Sequence, residues 1–338
     1  QAVGYMLDVW HKKVEAERSF SDYMLFVSFF PQIASGPISK ASELLPQIKR
    51  AHPFVFGQAK EGLRILLWGM FLKVVVADRL GIYVNTVYDH YTHYSGLTCF
   101  VASVLYSIQI YGDFAGYSFM AVGIAKTLGF DLVSNFERPY LAPTITEFWR
   151  RWHISLTRWL TAHVYIPLGG SRSGKIRTYW NILVTFIVSG IWHGANWTFV
   201  VWGLLHGFFQ IVEKALGVQK CEKGGAVRFV RILITFLCVD FAWIFFRMPD
   251  VSDAFAVIGR IFTSGDCSLF LDTKTNTVLT LFAFATVVLK DGIDEFFPHL
   301  ALSGNHRAGV RWATWLMLFM SLLLFGVLDS GQFIYVSF

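Results

Sequence analysis

The chain has 338 residues, of which 54% are hydrophobic and only 15% charged. Soluble domains carry roughly a quarter charged residues, so water is not the main solvent here, and no polar stretch is long enough to make a separate soluble domain. The net charge of +6 comes from Lys and Arg gathered between apolar runs, which fits loops beside anionic lipid and argues against a nucleic-acid partner.

The sequence opens at Gln1 without a basic-then-apolar leader, so a preceding natural N-terminal segment is expected. Pro31, Gly36, Pro37, Pro46 and Pro53 break residues 31–53 into loop or short interfacial pieces. Apolar runs follow at 61–79, 97–111, 114–128, 179–192, 197–213, 228–246, 276–289 and 311–328. The longer ones read as spans, and those that are short or interrupted by Gly and polar residues read as re-entrant or tilted helices, giving about six to nine crossings. The predicted fold is all-α, a polytopic membrane helix bundle forming one domain over 1–338. Between the third and fourth runs, Thr144 and Glu147 form a capping-box pattern. A 3.6-residue period then puts Ile145, Phe148, Trp149, Trp152, Leu156, Trp159 and Leu160 on one face, which predicts a single amphipathic helix over 145–160 lying in the membrane interface. Lys214, Lys220, Lys223, Arg228 and Arg231 mark the 214–231 loop as cytoplasmic, against the acidic 248–275 loop. Cys99, Cys221, Cys238 and Cys267 lack CxxC spacing, so packing is expected of them and no metal site.

His193 stands in Ser189-Gly-Ile-Trp-His-Gly-Ala-Asn-Trp197, where Gly190 and Gly194 leave room beside an imidazole in an apolar run. A polar group at membrane depth is costly and marks a pathway or a site, although a helix-to-helix hydrogen bond would also satisfy it. His153 follows Phe148-Trp-Arg-Arg-Trp152 at the rim of the apolar face, in a pattern that interfacial helices also gather. His206 reads as a packed or supporting group. Asp113, inside another apolar run, has three open readings: orienting a histidine, lining a substrate route, or satisfying a backbone N–H. The sequence holds no GxSxG elbow, phosphate loop or HExxH motif. What remains is a histidine acting as general base on an acceptor hydroxyl, with Asn196 a candidate donor to the developing oxyanion. A transporter or channel lined by His153, His193 and Asp113, and a scaffold for partner enzymes, are the alternatives.

Longer stretches carry a resemblance. Tyr111-Gly-Asp-Phe-Ala-Gly-Tyr-Ser118, Asn135-Phe-Glu-Arg-Pro-Tyr140, Thr146-Glu-Phe-Trp-Arg-Arg-Trp-His-Ile-Ser-Leu156, Tyr165-Ile-Pro-Leu-Gly-Gly170, Ile191-Trp-His-Gly-Ala-Asn-Trp197 and Phe333-Ile-Tyr335 together resemble the bacterial branch of the membrane-bound O-acyltransferase family. Weaker similarity covers nearly the whole chain. The resemblance implies that His193 and His153 match the family's two active-site histidines, in a curved helix bundle around a narrow tunnel. It further implies an acetyl group drawn from acetyl-CoA, an exported polysaccharide such as alginate or a cell-wall glycan as acceptor, and a bacterial inner-membrane location. A separate exported acyltransferase of Ser-His-Asp type is the implied partner. One departure is Trp159-Leu-Thr-Ala-His163, where relatives commonly read Trp-Leu-Arg-Asp-Tyr, which puts any role of that acid in doubt here.

Overall fold

The computed structural model describes residues 1–33, 36–220, 224–301 and 307–327, and the Phe333–Tyr335 motif and Cys221 lie outside them. The protein is all-α. Four short helices, α1 (Ala2–Trp10), α2 (Phe20–Val27), α3 (Phe30–Ile33) and α4 (Ala41–Ile48), build the proline-broken N-terminal part. There follow α5 (Phe56–Met70), a π-helical turn (Phe71–Ala77), α6 (Asp78–Tyr88) and the long α7 (Gly96–Thr127). Next come α8 (Ile145–Arg151), α9 (Ile154–Leu160), the hairpin of α10 (Gly174–His193) and α11 (Trp197–Ala215), and then α12 (Gly225–Arg247). Last are α13 (Val251–Thr263), α14 (Lys274–Phe296) and α15 (Ala308–Phe325).

Among the described residues, α7, α12, α14 and α15 are long and apolar enough to cross a membrane. Of these, α7 is the axis of the bundle, with 78% of its apolar window buried against other helices. It packs against α5, α6, the π-helical turn, α12, α13 and α14. Large apolar side chains remain exposed on the outer helices, Leu323, Leu324, Leu289 and Phe229 among them. A hydrocarbon solvent, which solvates leucine as well as a protein core does, accounts for that distribution.

Two expectations need correction. The runs 97–111 and 114–128 are not separate spans but one 32-residue helix, α7. Asp113, which made the sequence look interrupted, is neutralised inside the bundle: Lys73 Nζ stands 2.7 Å from Asp113 Oδ1 and 2.7 Å from Asp78 Oδ1. The predicted helix over 145–160 is likewise two helices, α8 and α9, joined at His153, whose φ of 43° is left-handed. Its apolar face does not lie on lipid. Phe148 and Trp152 are 0% and 2% exposed, inside the main core with Trp202 and Trp243. A helical wheel shows which face is apolar, and burial in protein satisfies that face as well as lipid does.

The N-terminus of α8 is capped from two sides. Thr144 Oγ1 accepts from the Glu147 N–H at 3.0 Å, as the capping pattern implies. The reciprocal half differs: the Glu147 carboxylate pairs with Arg151, and Glu213 of α11 accepts from the Ile145 and Thr146 N–H groups at 2.8 and 2.9 Å. A carboxylate at a helix N-terminus is favoured by the free N–H groups and the dipole. This cap holds α8 against α11.

Candidate active site

The α10–α11 hairpin sets the position of His193. α10 ends at His193, and Asn196 caps α11 by accepting from the Thr198 N–H at 3.1 Å while its Nδ2 donates to Pro249 O at 2.7 Å. Both functions of the Asn196 amide are therefore engaged in tying this corner to the α12–α13 turn. The two helices meet closely because Gly190 and Gly203 face backbone: a Cβ on either would collide with the carbonyl oxygen of Phe199 or Phe186. Such small-residue contacts let helix backbones approach.

His193 is half-buried against aromatic rings. Its imidazole lies edge to face with Trp202 at 5.2 Å and with Phe246 at 5.2 Å, and 6.3 Å from Phe199. Trp202 stacks on Trp243 at 5.8 Å, and Trp243 lies 5.1 Å from Trp152. Trp152 precedes His153, which is buried edge to face on Phe114 at 4.6 Å. Sequence positions forty residues apart are thus linked through one cluster of aromatic rings.

The backbone at His153 is held by Asn135 of the Asn-Phe-Glu-Arg-Pro-Tyr segment. Asn135 O accepts from the Ile154 N–H at 3.0 Å, and Asn135 Oδ1 accepts from Ser155 Oγ at 2.6 Å. His206 is fully buried in the same cluster, accepting at Nδ1 from Trp149 Nε1 at 3.3 Å, with its ring 5.0 Å from that of Trp202. Asp113 stands apart, committed to Lys73 on the π-helical turn.

Beyond Phe199 and Phe246 lies a cleft of about 520 Å³. Tyr88, Asp89, Tyr91, Arg247 and Asp253 line it together with Asn196. Arg247 is paired with Asp89 at 2.9 Å, and Tyr91 donates to Asp253 at 3.0 Å. Aromatic faces beside carboxylates and a guanidinium suit a hydroxyl-rich ligand. The opposite end of the bundle is basic. Arg172, Lys175 and Arg177 flank the start of α10, Lys214 lies in the last turn of α11 and Lys220 follows it, and Arg228 and Arg231 begin α12. There Glu295 of α14 takes ion pairs from Arg138, Arg151 and Arg228 at 2.9, 3.1 and 2.6 Å.

Several groups at the site escaped the sequence reading. Asp240, on α12, accepts from Ser103 and Ser107 at 2.8 and 2.6 Å, and Tyr111 donates to Asp291 at 3.0 Å. Lys73 and Asp240 each interrupt an apolar run, the same signal that drew attention to Asp113, whereas Asp291 follows the end of one. Among the described residues no group of His, Cys, Asp and Glu could hold a metal ion.

Comparison with known proteins matches residues 9–219 to the model of the membrane-bound O-acyltransferase family. A probable alginate O-acetylase of Pseudomonas syringae pv. tomato is 36% identical over 88% of this chain and 56% of its own. The peptidoglycan O-acetyltransferase of Helicobacter pylori is 41% identical over 71% and 46%. A teichoic acid D-alanyltransferase of Bacillus subtilis is 25% identical over 67% and 61%. The chain thus spans roughly half the length of these relatives.

Proposed function

Because the chain belongs to the membrane-bound O-acyltransferase family, we propose that it transfers an acyl group to a hydroxyl of an exported polysaccharide, with His193 as general base. The observation that carries this reading is the cluster of aromatic rings that links His193 to the Trp152-His153 pair, beside a cleft suited to a hydroxyl-rich acceptor. The names of the first relatives, an alginate O-acetylase and a peptidoglycan O-acetyltransferase, favour acetyl as the acyl group. Acetyl-CoA is the donor we assign. The positive-inside rule places the basic end of the bundle in the cytoplasm, which puts the cleft and His193 toward the outer face of a bacterial inner membrane. An exported acyltransferase of Ser-His-Asp type is the partner we assign to that face.

In the chemistry proposed, the neutral His193 imidazole takes the proton of the acceptor hydroxyl as its oxygen attacks the thioester carbonyl. The C–O bond forms, the C–S bond breaks, and the departing thiolate recovers the proton from His193. His153 supplies the second imidazole facing the reacting groups, and the surrounding rings keep water from competing with the acceptor.

The test is the O-acetyl content of the exported polysaccharide in cells carrying wild type or His193→Ala at matched membrane levels. Loss of O-acetyl groups with His193→Ala supports the reading. Unchanged O-acetylation contradicts it and favours a scaffold; solute movement that survives without acyl chemistry in wild type would favour a transporter.

A further inference from the structure

Trp202 and His206 stand four residues apart on α11, hence on one face of the helix. Both are fully buried, and their rings lie 5.0 Å apart, edge to face. Trp202 Nε1 and His206 Nε2 have no hydrogen-bond partner among the described residues. The tautomer of His206 follows from its other nitrogen: Nδ1 accepts from Trp149 Nε1–H, so in the neutral ring the proton is on Nε2. α11 therefore brings two buried N–H donors to the cluster, and the interior provides neither with an acceptor. An unmade hydrogen bond at a buried donor costs stability, and such groups are rare in folded proteins. Two of them one helical turn apart, one on a ring that touches His193, would each be satisfied by an oxygen that arrives with a ligand.

We propose that Trp202 Nε1–H and His206 Nε2–H receive the acyl carbonyl oxygen during transfer, an inference that rests on the acyltransferase reading above. Asn196, which the sequence suggested for this task, spends its Nδ2 on Pro249 O. Trp202 packs against the His193 ring at 5.2 Å, so the base touches one of the donors, and the other lies one helical turn further along α11. As the hydroxyl oxygen bonds to the carbonyl carbon, the C=O π electrons move onto the oxygen and the two N–H groups hold the resulting charge. The hydroxyl proton goes to His193. When the tetrahedral species collapses, the C–S electrons leave with sulfur, which takes the proton back. Donors fixed in place before the reaction need no reorganisation as charge develops, which is how such groups lower a barrier.

The experiment compares wild type, Trp202→Phe, His206→Gln and His206→Leu in membranes, reading acetyl transfer and thermal stability. Trp202→Phe removes the donor and keeps an aromatic ring. Its turnover should fall on the order of 10²-fold, as for loss of one oxyanion donor, with KM unchanged and with stability unchanged or raised. His206→Gln, which retains an N–H, should keep more activity than His206→Leu. If wild type transfers acetyl and Trp202→Phe matches its turnover, or loses stability in parallel with activity, the two groups are packing residues and the proposal is overturned while the acyltransferase reading stands. If wild type transfers no acyl group with its complete machinery present, both fall.

Discussion

His153 combines a proposed chemical role with an unusual backbone. Its φ of 43° is tolerated by asparagine and disfavoured for β-branched residues. His153→Asn should therefore fold with a melting temperature near that of wild type while transfer drops substantially, whereas His153→Val should lose both. Equal melting temperatures for the two variants would contradict the backbone argument. Lys73 offers a second residue-scale test. With carboxylates at 2.7 Å on both sides, Lys73→Met leaves Asp78 and Asp113 close together without their cation and should destabilise by about 3–5 kcal/mol. Replacing Asp113 by Asn in the same chain should recover part of that loss, as a double-mutant cycle in thermal unfolding would show. The two histidines stood out as candidates in the sequence because each is a polar group set among Trp, Gly and apolar residues. Trp202 was not, since a tryptophan in an apolar helix is usually packing, and only its unpaired N–H beside His206 distinguishes it.

At the scale of elements, the apolar runs located most helices, and local chemistry alone could not decide where they join or break. Residues Gly96–Thr127 form one helix because Lys73, forty positions before Asp113, removes the cost of its charge; that pairing depends on tertiary structure. Residues 145–160 form two helices because Trp152 and His153 must enter the core, and the wheel carried no information on whether lipid or protein would cover the apolar face. The α10–α11 hairpin is the element on which the site depends most. A methyl group on Gly203 meets the Phe186 carbonyl, so Gly203→Ala should cost about 1–3 kcal/mol by overpacking. It should also reduce transfer, because separating the helices moves His193 and Trp202 relative to each other. Wild-type stability and activity in Gly203→Ala would show that the hairpin contact is slack.

Over the whole molecule, the basic ends of α10, α11 and α12 are grouped at one end, which the positive-inside rule would set in the cytoplasm, and the cleft bounded by Phe199 and Phe246 lies at the other. Cys267 is exposed in the loop after α13, on the cleft side. Cys221 lies in sequence between α11 and α12. In spheroplasts, a membrane-impermeant maleimide should label Cys267 directly and Cys221 only after permeabilisation; the reverse pattern would invert the orientation. With the proposed cytoplasmic thioester donor and exported acceptor, that topology would bring the two to His193 from opposite faces.

The most direct test of the central claim is transfer of radiolabelled acetyl from acetyl-CoA in membranes containing the protein and its export partners, comparing wild type with His193→Ala at matched expression. The account predicts label in glycan or partner protein with wild type and a reduction on the order of 10²–10⁴-fold with His193→Ala. Equal labelling by the two proteins would contradict it and make His193 a structural residue.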